Sequence, residues 1–346
     1  MNKKSLNIEF IRIFAIFMTI AIHVSNLYIS SFSKVSDGYF LTSVIFNSLS
    51  RICVPLFFMI SGALSIPKEF SLKKYCNRIL RFVFVLMIWS FIYYIQKNGF
   101  EFKNISIIFV NSFFNANMTS RHLWYMYAFI GINIALPFIQ NMCKNLNRQQ
   151  ENLFLTLWII LSGISVIIIP FAKAITKTNI NFSYPIPMIN ATYYLGYFIS
   201  GHIIYKRFNN ASFDKTKNII CIITFVLSTA ITAFFTYYIS IKTNKLFDSM
   251  LWYKSIFIIL ATFSIFLLFI SNKGAFKNSI IPKLSTHSFG IYLIHIVFLN
   301  IIKDHFTVIE YNPIVTIPVA TLTIYIASLV SCIILSKIPY INKILF

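Results

Sequence analysis

Long apolar runs separated by short basic loops strongly constrain the fold of this chain of 346 residues. Each run is about 20 residues long, the length that an α-helix needs to cross the hydrocarbon core of a bilayer. Because lipid offers no hydrogen-bond partners to the backbone, each run is expected to be helical. We therefore predict an all-α integral membrane protein with about ten transmembrane helices, near 8–30, 44–65, 79–96, 122–140, 152–172, 186–205, 218–241, 250–271, 285–302 and 314–336.

The composition supports a chain surrounded by membrane lipids. Hydrophobic residues make up 58% of the chain and charged residues 11%, whereas soluble domains contain about 25% charged residues. The net charge of +21 comes mainly from Lys and Arg in the loops, so it does not indicate binding to nucleic acid. The five Cys and six His are scattered without the spacing of metal ligands, and no metal site is expected.

The distribution of Lys and Arg predicts the orientation in the membrane. With the N-terminus in the cytoplasm, eighteen of these residues lie on the cytoplasmic side, nine lie on the outer side and three lie within spans. This excess of positive charge predicts that both termini are cytoplasmic. Because the longest connection is only about 97–121, residues 1–346 are expected to form a single membrane domain without a soluble extracytoplasmic domain.

Polar residues follow one face of the first predicted helix. Arg12 and His23 are eleven residues apart, about three helical turns, so their side chains point the same way roughly 16 Å apart along the axis. A charged residue inside a span is costly and usually functional, so this stripe should line a cavity or a helix interface. The alternative is a buried polar seam that only fixes helix packing. Three further polar residues share the face: Glu9, Thr19 and Asn26.

The two ends of this stripe suggest different chemistry. Glu9 and Arg12 are i,i+3 neighbours near the predicted cytoplasmic end, and each can neutralise the charge of the other. His23 lies in the predicted outer half, where a neutral imidazole could act as a general base.

Three more arginines are candidates for the site. Arg51 lies about eight residues from the outer end of the second span, at a depth similar to that of His23. It could hold a carbonyl oxygen or a developing oxyanion, or it could be an arginine that reaches the outer interface. Arg78 and Arg81 share one face at the cytoplasmic start of the third span and suit a ligand with phosphate groups. The positive-inside rule alone also produces such clusters.

Aromatic residues and a second histidine are the remaining candidates for the functional site. Tyr292 and His295 share one face of the ninth span, and His295 lies near the predicted midplane. Two histidines at comparable depth, His23 and His295, indicate a shared polar cavity. Trp124 and Tyr125 open the fourth span on its outer side, as anchors in the aromatic belt or as surfaces for stacking a sugar.

The combination of Arg12, ten intervening residues, His23, the Arg78-x-x-Arg81 motif and about ten helices resembles the membrane acyltransferase family three, over essentially the whole chain. Four further stretches are similar to its branch of surface polysaccharide O-acyltransferases, which includes the enterobacterial common antigen O-acetyltransferase. These stretches are Glu9–Arg12, Val54–Gly62, His122–Tyr127 and Ser288–His295.

The resemblance implies an activity and roles for the candidate residues. An acyl group, most commonly acetyl, would pass from cytoplasmic acyl-CoA, such as acetyl-CoA, to a hydroxyl of a glycan or lipid-linked sugar across the bacterial inner membrane. Arg12 and His23 would be the catalytic pair, with Glu9 beside Arg12, and Arg78 and Arg81 would bind the donor. Neither a metal nor nucleic acid is implied.

A polysaccharide exporter or another multi-pass transporter is the alternative function. Ion-coupled transporters usually place Asp or Glu near the middle of the membrane. In this chain all nine acidic residues fall in predicted loops or at the ends of predicted spans, which favours the acyltransferase.

Overall fold

The regular structure of the protein is helical. Every regular element that the structure describes is an α-helix or a short 3-10 helix, which confirms the all-α prediction. The computed structural model describes residues 6–99, 120–176, 187–272 and 280–339, with the backbone alone for 164–176 and 187–193.

The described residues form thirteen α-helices joined by short connections. In chain order they are α1 (Leu6–Ile29), α2 (Asp37–Ser50), α3 (Cys53–Ser65), α4 (Leu72–Asn98), α5 (Trp124–Ile134), α6 (Leu136–Asn145), α7 (Arg148–Thr176), α8 (Pro187–Phe208), α9 (Lys215–Thr243), α10 (Ile256–Ser271), α11 (Ile280–Thr286), α12 (Ser288–His305) and α13 (Pro313–Ser336). Short 3-10 helices lie at Phe32–Lys34, Arg121–Leu123, Ser249–Leu251 and Val308–Glu310.

Six segments of the described chain are long and apolar enough to cross a membrane, and the number rises to eight if each of two bent helix pairs is one span. The bent pairs are α5 with α6 and α11 with α12, each with an angle of 59°. These eight segments correspond to eight of the ten predicted runs. The other two runs, 152–172 and 186–205, coincide with α7 and α8. Part of each run consists of residues whose side chains the structure does not describe. The number ten and the cytoplasmic position of the termini therefore stay predictions.

The first bend has a local cause in the sequence. Pro137 stands in the first turn of α6, where its fixed φ and missing N–H are tolerated, whereas it could not continue a preceding helix. The chain therefore ends α5 at Ile134 and restarts in a new direction. At the second bend, His287 separates α11 from α12.

Helix α1 lies at the centre of the bundle, against α2, α3, α10, α11, α12 and α13. Its buried side chains include polar ones, among them Glu9, Thr19 and Ser25. Of the predicted polar stripe, Glu9 and Thr19 are buried. Arg12 and His23 are half-buried, and Asn26 is exposed.

Two glycines let α3 and α8 cross at close range. A Cβ atom on Gly62 would overlap the backbone carbonyl of Phe198, and one on Gly201 would overlap the backbone of Met59. Small residues allow this close approach between helices in a membrane. The crossing fixes α3, which follows Arg51, against α8, which carries Tyr194.

Candidate active site

A cavity of about 370 Å³ opens on His23, and we call it the His23 cavity. Helix α1 forms one wall with Thr19, His23 and Asn26, residues that share a face because they are spaced by four and three positions. The remaining lining is rich in arginine and aromatic side chains: Ile22, Arg51, Val54, Arg121, His122, Trp124, Tyr125, Tyr194, Tyr253 and Tyr292.

Three imidazoles lie close together beside this cavity. The ring centroid of His295 lies 5.3 Å from that of His23 and 5.3 Å from that of His122, and the centroids of His23 and His122 are 6.4 Å apart. His23 and His122 line the cavity, whereas His295 neighbours both rings without lining it. No group of three or more His, Cys, Asp or Glu side chains suited to holding a metal occurs in the described parts of the chain.

Hydrogen bonds fix the tautomer of His295. Its Nδ1 lies 2.6 Å from the carbonyl oxygen of Tyr292 and 3.2 Å from that of Ile291. Because a carbonyl oxygen can only accept, Nδ1 carries the proton in the neutral ring and Nε2 keeps a lone pair. His295 is fully buried, and its Nε2 has no hydrogen-bond partner among the described residues. A buried acceptor without a partner is uncommon and often marks a functional group.

His122 is held in a similar way. Its Nδ1 lies 2.6 Å from the hydroxyl of Ser120, and its buried Nε2 lacks a partner within the described chain. The Tyr292 hydroxyl donates to the backbone carbonyl of His122 at 2.7 Å. The Tyr93 hydroxyl donates to the carbonyl of Leu293 at 2.5 Å. These bonds connect α12 to the 3-10 helix Arg121–Leu123 and to α4 around the three rings.

Arg51, at the C-terminal end of α2, lines the same cavity as His23. Its Nε donates to Oδ1 of Asn47 at 2.8 Å, and its guanidinium lies 5.8 Å from the centroid of the Tyr253 ring. The Asn47 amide in turn donates to the hydroxyl of Ser25 on α1 at 2.9 Å. Arg51 is therefore anchored beside the cavity that it lines.

A second cavity, of about 570 Å³, opens on Arg12 and Arg81, and we call it the Arg81 cavity. Tyr125 and Tyr292 line both cavities, with ring centroids 5.4 Å apart in an edge-to-face arrangement. These two rings, which we call the tyrosine wall, separate the cavities. The rest of the Arg81 cavity is lined by Phe57, Ile60, Ser61, Phe82, Phe129, Ser285, Thr286, Ser288 and Phe289.

The predicted Glu9–Arg12 pair forms at the edge of the Arg81 cavity. Nη1 of Arg12 lies 3.2 Å from each carboxylate oxygen of Glu9. Glu9 is 2% exposed and also accepts a hydrogen bond from the hydroxyl of Ser285 on α11. A buried carboxylate with these partners holds α1 and α11 together and fixes the Arg12 side chain. Arg12 and His23 therefore open on different cavities, on opposite sides of the tyrosine wall.

The two arginines of the Arg78-x-x-Arg81 motif have different surroundings. Arg81 is exposed and lines the Arg81 cavity. Arg78 turns toward α3, where its Nη2 donates to the hydroxyl of Ser65 at 3.1 Å. Burial lowers the pKa of the Lys68 ammonium, and the charges of Arg78 and Arg12 lower it further. Positive charge is therefore concentrated at this end of the protein.

A family model described as an acyltransferase domain, that of acyltransferase family 3, matches residues 5–337. The chain belongs to this family. Because the match covers nearly the whole chain, the protein is a multi-pass membrane acyltransferase. No curated protein and no solved structure matches the chain. The narrower branch of surface polysaccharide O-acyltransferases stays a prediction.

Trp124 forms part of the wall of the His23 cavity in this acyltransferase. Its ring centroid lies 5.0 Å from that of Tyr194 and 5.9 Å from that of Tyr253. The three rings form an aromatic cluster contributed by α5, α8 and the segment before α10. This position goes beyond that of a belt anchor facing lipid.

Several site residues were not found from the sequence. His122 counted there only as part of a motif at the start of a span, and Arg121 only as a loop charge. Neither shows a periodic pattern, because both lie in the short 3-10 helix Arg121–Leu123. The motif that begins at His122 was the available signal, because only one leucine separates this histidine from the aromatic residues Trp124 and Tyr125.

Proposed function

We propose that this acyltransferase moves an acyl group, most simply acetyl, from cytoplasmic acyl-CoA to a hydroxyl of a cell-surface glycan or lipid-linked sugar. One observation carries the proposal: two cavities with different chemistry share the tyrosine wall. One cavity offers cations for a phosphorylated donor, and the other offers imidazoles that can activate a hydroxyl. Family membership also favours acyl transfer over the transporter considered from the sequence.

The donor would enter through the Arg81 cavity. Coenzyme A carries several phosphate charges, which match the guanidinium groups of Arg12 and Arg81 and the nearby charges of Arg78 and Lys68. The hydroxyl-rich bend between α11 and α12 lines the same cavity and can bind the amide groups of the pantetheine arm. That arm would pass the tyrosine wall and bring the thioester to the His23 cavity.

The acceptor would react in the His23 cavity. His23 takes the proton from the acceptor hydroxyl while the oxygen attacks the thioester carbonyl. A carbon–oxygen bond forms and the carbon–sulfur bond breaks, and the proton on His23 passes to the departing thiolate of coenzyme A. Arg51, one of the two arginines that line this cavity, can donate to the developing oxyanion. A route through an acyl-His23 intermediate has the same overall balance.

His295 would act as a positioning residue for His23. With its proton on Nδ1, the neutral His295 ring offers Nε2 as an acceptor for an N–H of the neighbouring His23 ring. The other nitrogen of His23 then keeps its lone pair for the hydroxyl. A buried carboxylate plays this orienting part for the histidine of a Ser-His-Asp triad.

A histidine substitution tests the proposal. In one assay, transfer is measured with reconstituted protein, labelled acetyl-CoA and surface glycans. In a second assay, glycans from cells with and without each variant are compared by mass spectrometry. We expect His23→Ala to lower the rate of transfer by about 10²- to 10⁴-fold while the protein still inserts and folds. His305→Ala is the matched control, because His305 is exposed at the end of α12 and lines neither cavity. Glycan modification that persists at the wild-type level in His23→Ala would exclude the general-base role.

A further inference from the structure

Among the described residues, the His23 cavity is lined by two guanidinium groups and no carboxylate. Arg51 and Arg121 both line it, and none of the other described lining residues is Asp or Glu. The ion pairs among the described residues are formed by other cations: Arg12 with Glu9, Lys206 and Arg207 with Glu151, and Lys217 with Asp214. The three neighbouring histidines add acceptors but no negative charge. The cavity is therefore positively charged.

In the described part of the chain, the groups that contact the Arg51 side chain are neutral. Its Nε is bonded to the amide oxygen of Asn47, and its guanidinium lies over the ring of Tyr253. Within the described part of the chain, its Nη1 and Nη2 make no hydrogen bond. A partly buried cation is costly to keep without an opposite charge. The site is thus built to receive an anion from outside the protein.

The donor does not supply that anion in the proposed function. The phosphates of acyl-CoA stay in the Arg81 cavity, and the pantetheine arm and thioester that reach His23 are neutral. The oxyanion of the reaction exists only in the transition state and uses one guanidinium. The second guanidinium, that of Arg121, is exposed and can therefore reach a negative charge carried by the acceptor.

The remaining surfaces of the cavity suit a sugar. Trp124, Tyr194 and Tyr253 present clustered aromatic rings, which combine a flat apolar face with a polar edge. The volume of about 370 Å³ lies at the small end of the range for ligand pockets. Arg121 stands at the rim, directly before His122 in the chain.

From these observations we infer that the acceptor is an anionic sugar, whose carboxylate or phosphate binds Arg121 in the field of Arg51 while its hydroxyl faces His23. This inference rests on the proposed function and specifies its acceptor. The two sources of the charge, a uronic acid or a sugar phosphate, share the chemistry that arginine recognises.

Matched acceptors test the inference. Reconstituted wild-type protein is given acetyl-CoA and one of three oligosaccharides: one containing a uronic acid, its carboxyl-reduced neutral form, or the neutral form carrying a phosphate. We expect kcat/KM for an anionic acceptor to exceed that for the neutral form by about tenfold or more, as one charge-assisted hydrogen bond provides. The uronic-acid and phosphate forms identify the source of the charge. Equal kcat/KM for all three would overturn the inference while leaving acyl transfer itself intact.

Variants of Arg121 separate recognition from chemistry. Arg121→Gln should remove the preference for the anionic acceptor, and Arg121→Lys should keep part of it. Lys245→Gln is the control, because it removes a positive charge from the same predicted side of the membrane without touching the cavity. A preference unchanged in Arg121→Gln would contradict the assignment.

A binding measurement does not depend on turnover. His23→Ala protein should bind the anionic oligosaccharide more tightly than the neutral form in titration calorimetry, and added salt should weaken the difference. Equal binding of both forms would overturn the inference. If wild-type protein consumes no acyl-CoA with any acceptor while this binding difference is present, the proposed function fails and the anion site stands.

Discussion

Replacing His295 by asparagine or glutamine tests how the three histidines cooperate. In the wild type, Nδ1 of His295 lies 2.6 Å from the carbonyl oxygen of Tyr292. The amide nitrogen of asparagine can take the position of Nδ1 and keep this hydrogen bond. Asparagine has no atom at the position of Nε2, whereas the longer glutamine can reach that position and offer its amide oxygen there. The pair of variants therefore separates the anchoring side of the ring from the side available to His23.

The expected magnitude follows from the proposed role. Losing an acceptor that only orients the base is expected to lower kcat by about 10- to 100-fold, as for other outer partners of functional groups, which corresponds to about 1.4–2.7 kcal/mol in the activation barrier. Losing the base itself in His23→Ala is expected to cost about 10²- to 10⁴-fold. His295→Asn should therefore fall between the wild type and His23→Ala, and His295→Gln should recover part of the loss.

Initial rates at several acetyl-CoA and acceptor concentrations provide the assay. We expect kcat to fall in His295→Asn while KM for both substrates changes little, because the fully buried ring does not line either cavity. His305→Asn is the control for the substitution itself, and thermal unfolding in detergent shows whether each variant is folded.

Two results would refute this reasoning. A kcat of His295→Asn equal to that of the wild type would show that Nε2 of His295 does not orient His23. Equal loss of activity in the asparagine and glutamine variants, with a lowered melting temperature in both, would show that the ring is needed only for packing.

Three further predictions concern the donor site, helix packing and topology. Arg81→Ala should raise the KM for acyl-CoA with little change in kcat, and Arg81→Lys should recover only part of the affinity because the bidentate fork is lost; unchanged CoA binding would contradict the donor role. Gly201→Ala should destabilise the protein by about 1–3 kcal/mol through overpacking against α3, whereas Gly38→Ala, with nothing within 4 Å of the added carbon, should not; equal melting temperatures would refute the close crossing. In intact cells, an impermeant thiol reagent should label a single cysteine placed at Lys245 but not one placed at Lys74 in a Cys-free variant, and the reverse pattern would overturn the topology.

The helices were predictable because length and apolarity are local properties of the sequence. A run of about 20 apolar residues has few alternatives in a membrane, and α1, α9 and α13 lie where such runs were expected. The breaks were less predictable. Pro137 signals the bend before α6, and Pro55, in the first turn of α3, signals the break after Arg51. The bend at His287 has no proline or glycine directly beside it. Its position depends on packing between helices.

The candidate site was predictable only within one helix. The period of an α-helix places His23 on the face of Arg12, and both side chains line cavities of the bundle. The rotation of separate helices about their axes is not encoded in such a pattern. For this reason the sequence could not show that His122 joins His23 and His295, or that Arg78 turns toward Ser65 while Arg81 faces a cavity.

The spacing of Arg12 and His23 acquires a physical meaning from the two cavities. Helix α1 is continuous from Leu6 to Ile29, so eleven residues fix these side chains roughly 16 Å apart along its axis. In the proposed function, a donor whose phosphates bind near Arg12 must extend its arm over that distance to bring the thioester to His23. A shorter spacing would place His23 on the same side of Tyr125 and Tyr292 as Arg12, away from the cavity proposed for the acceptor. In the proposed function, the central helix would therefore set the distance between donor binding and chemistry, and the two residues could serve one reaction without touching.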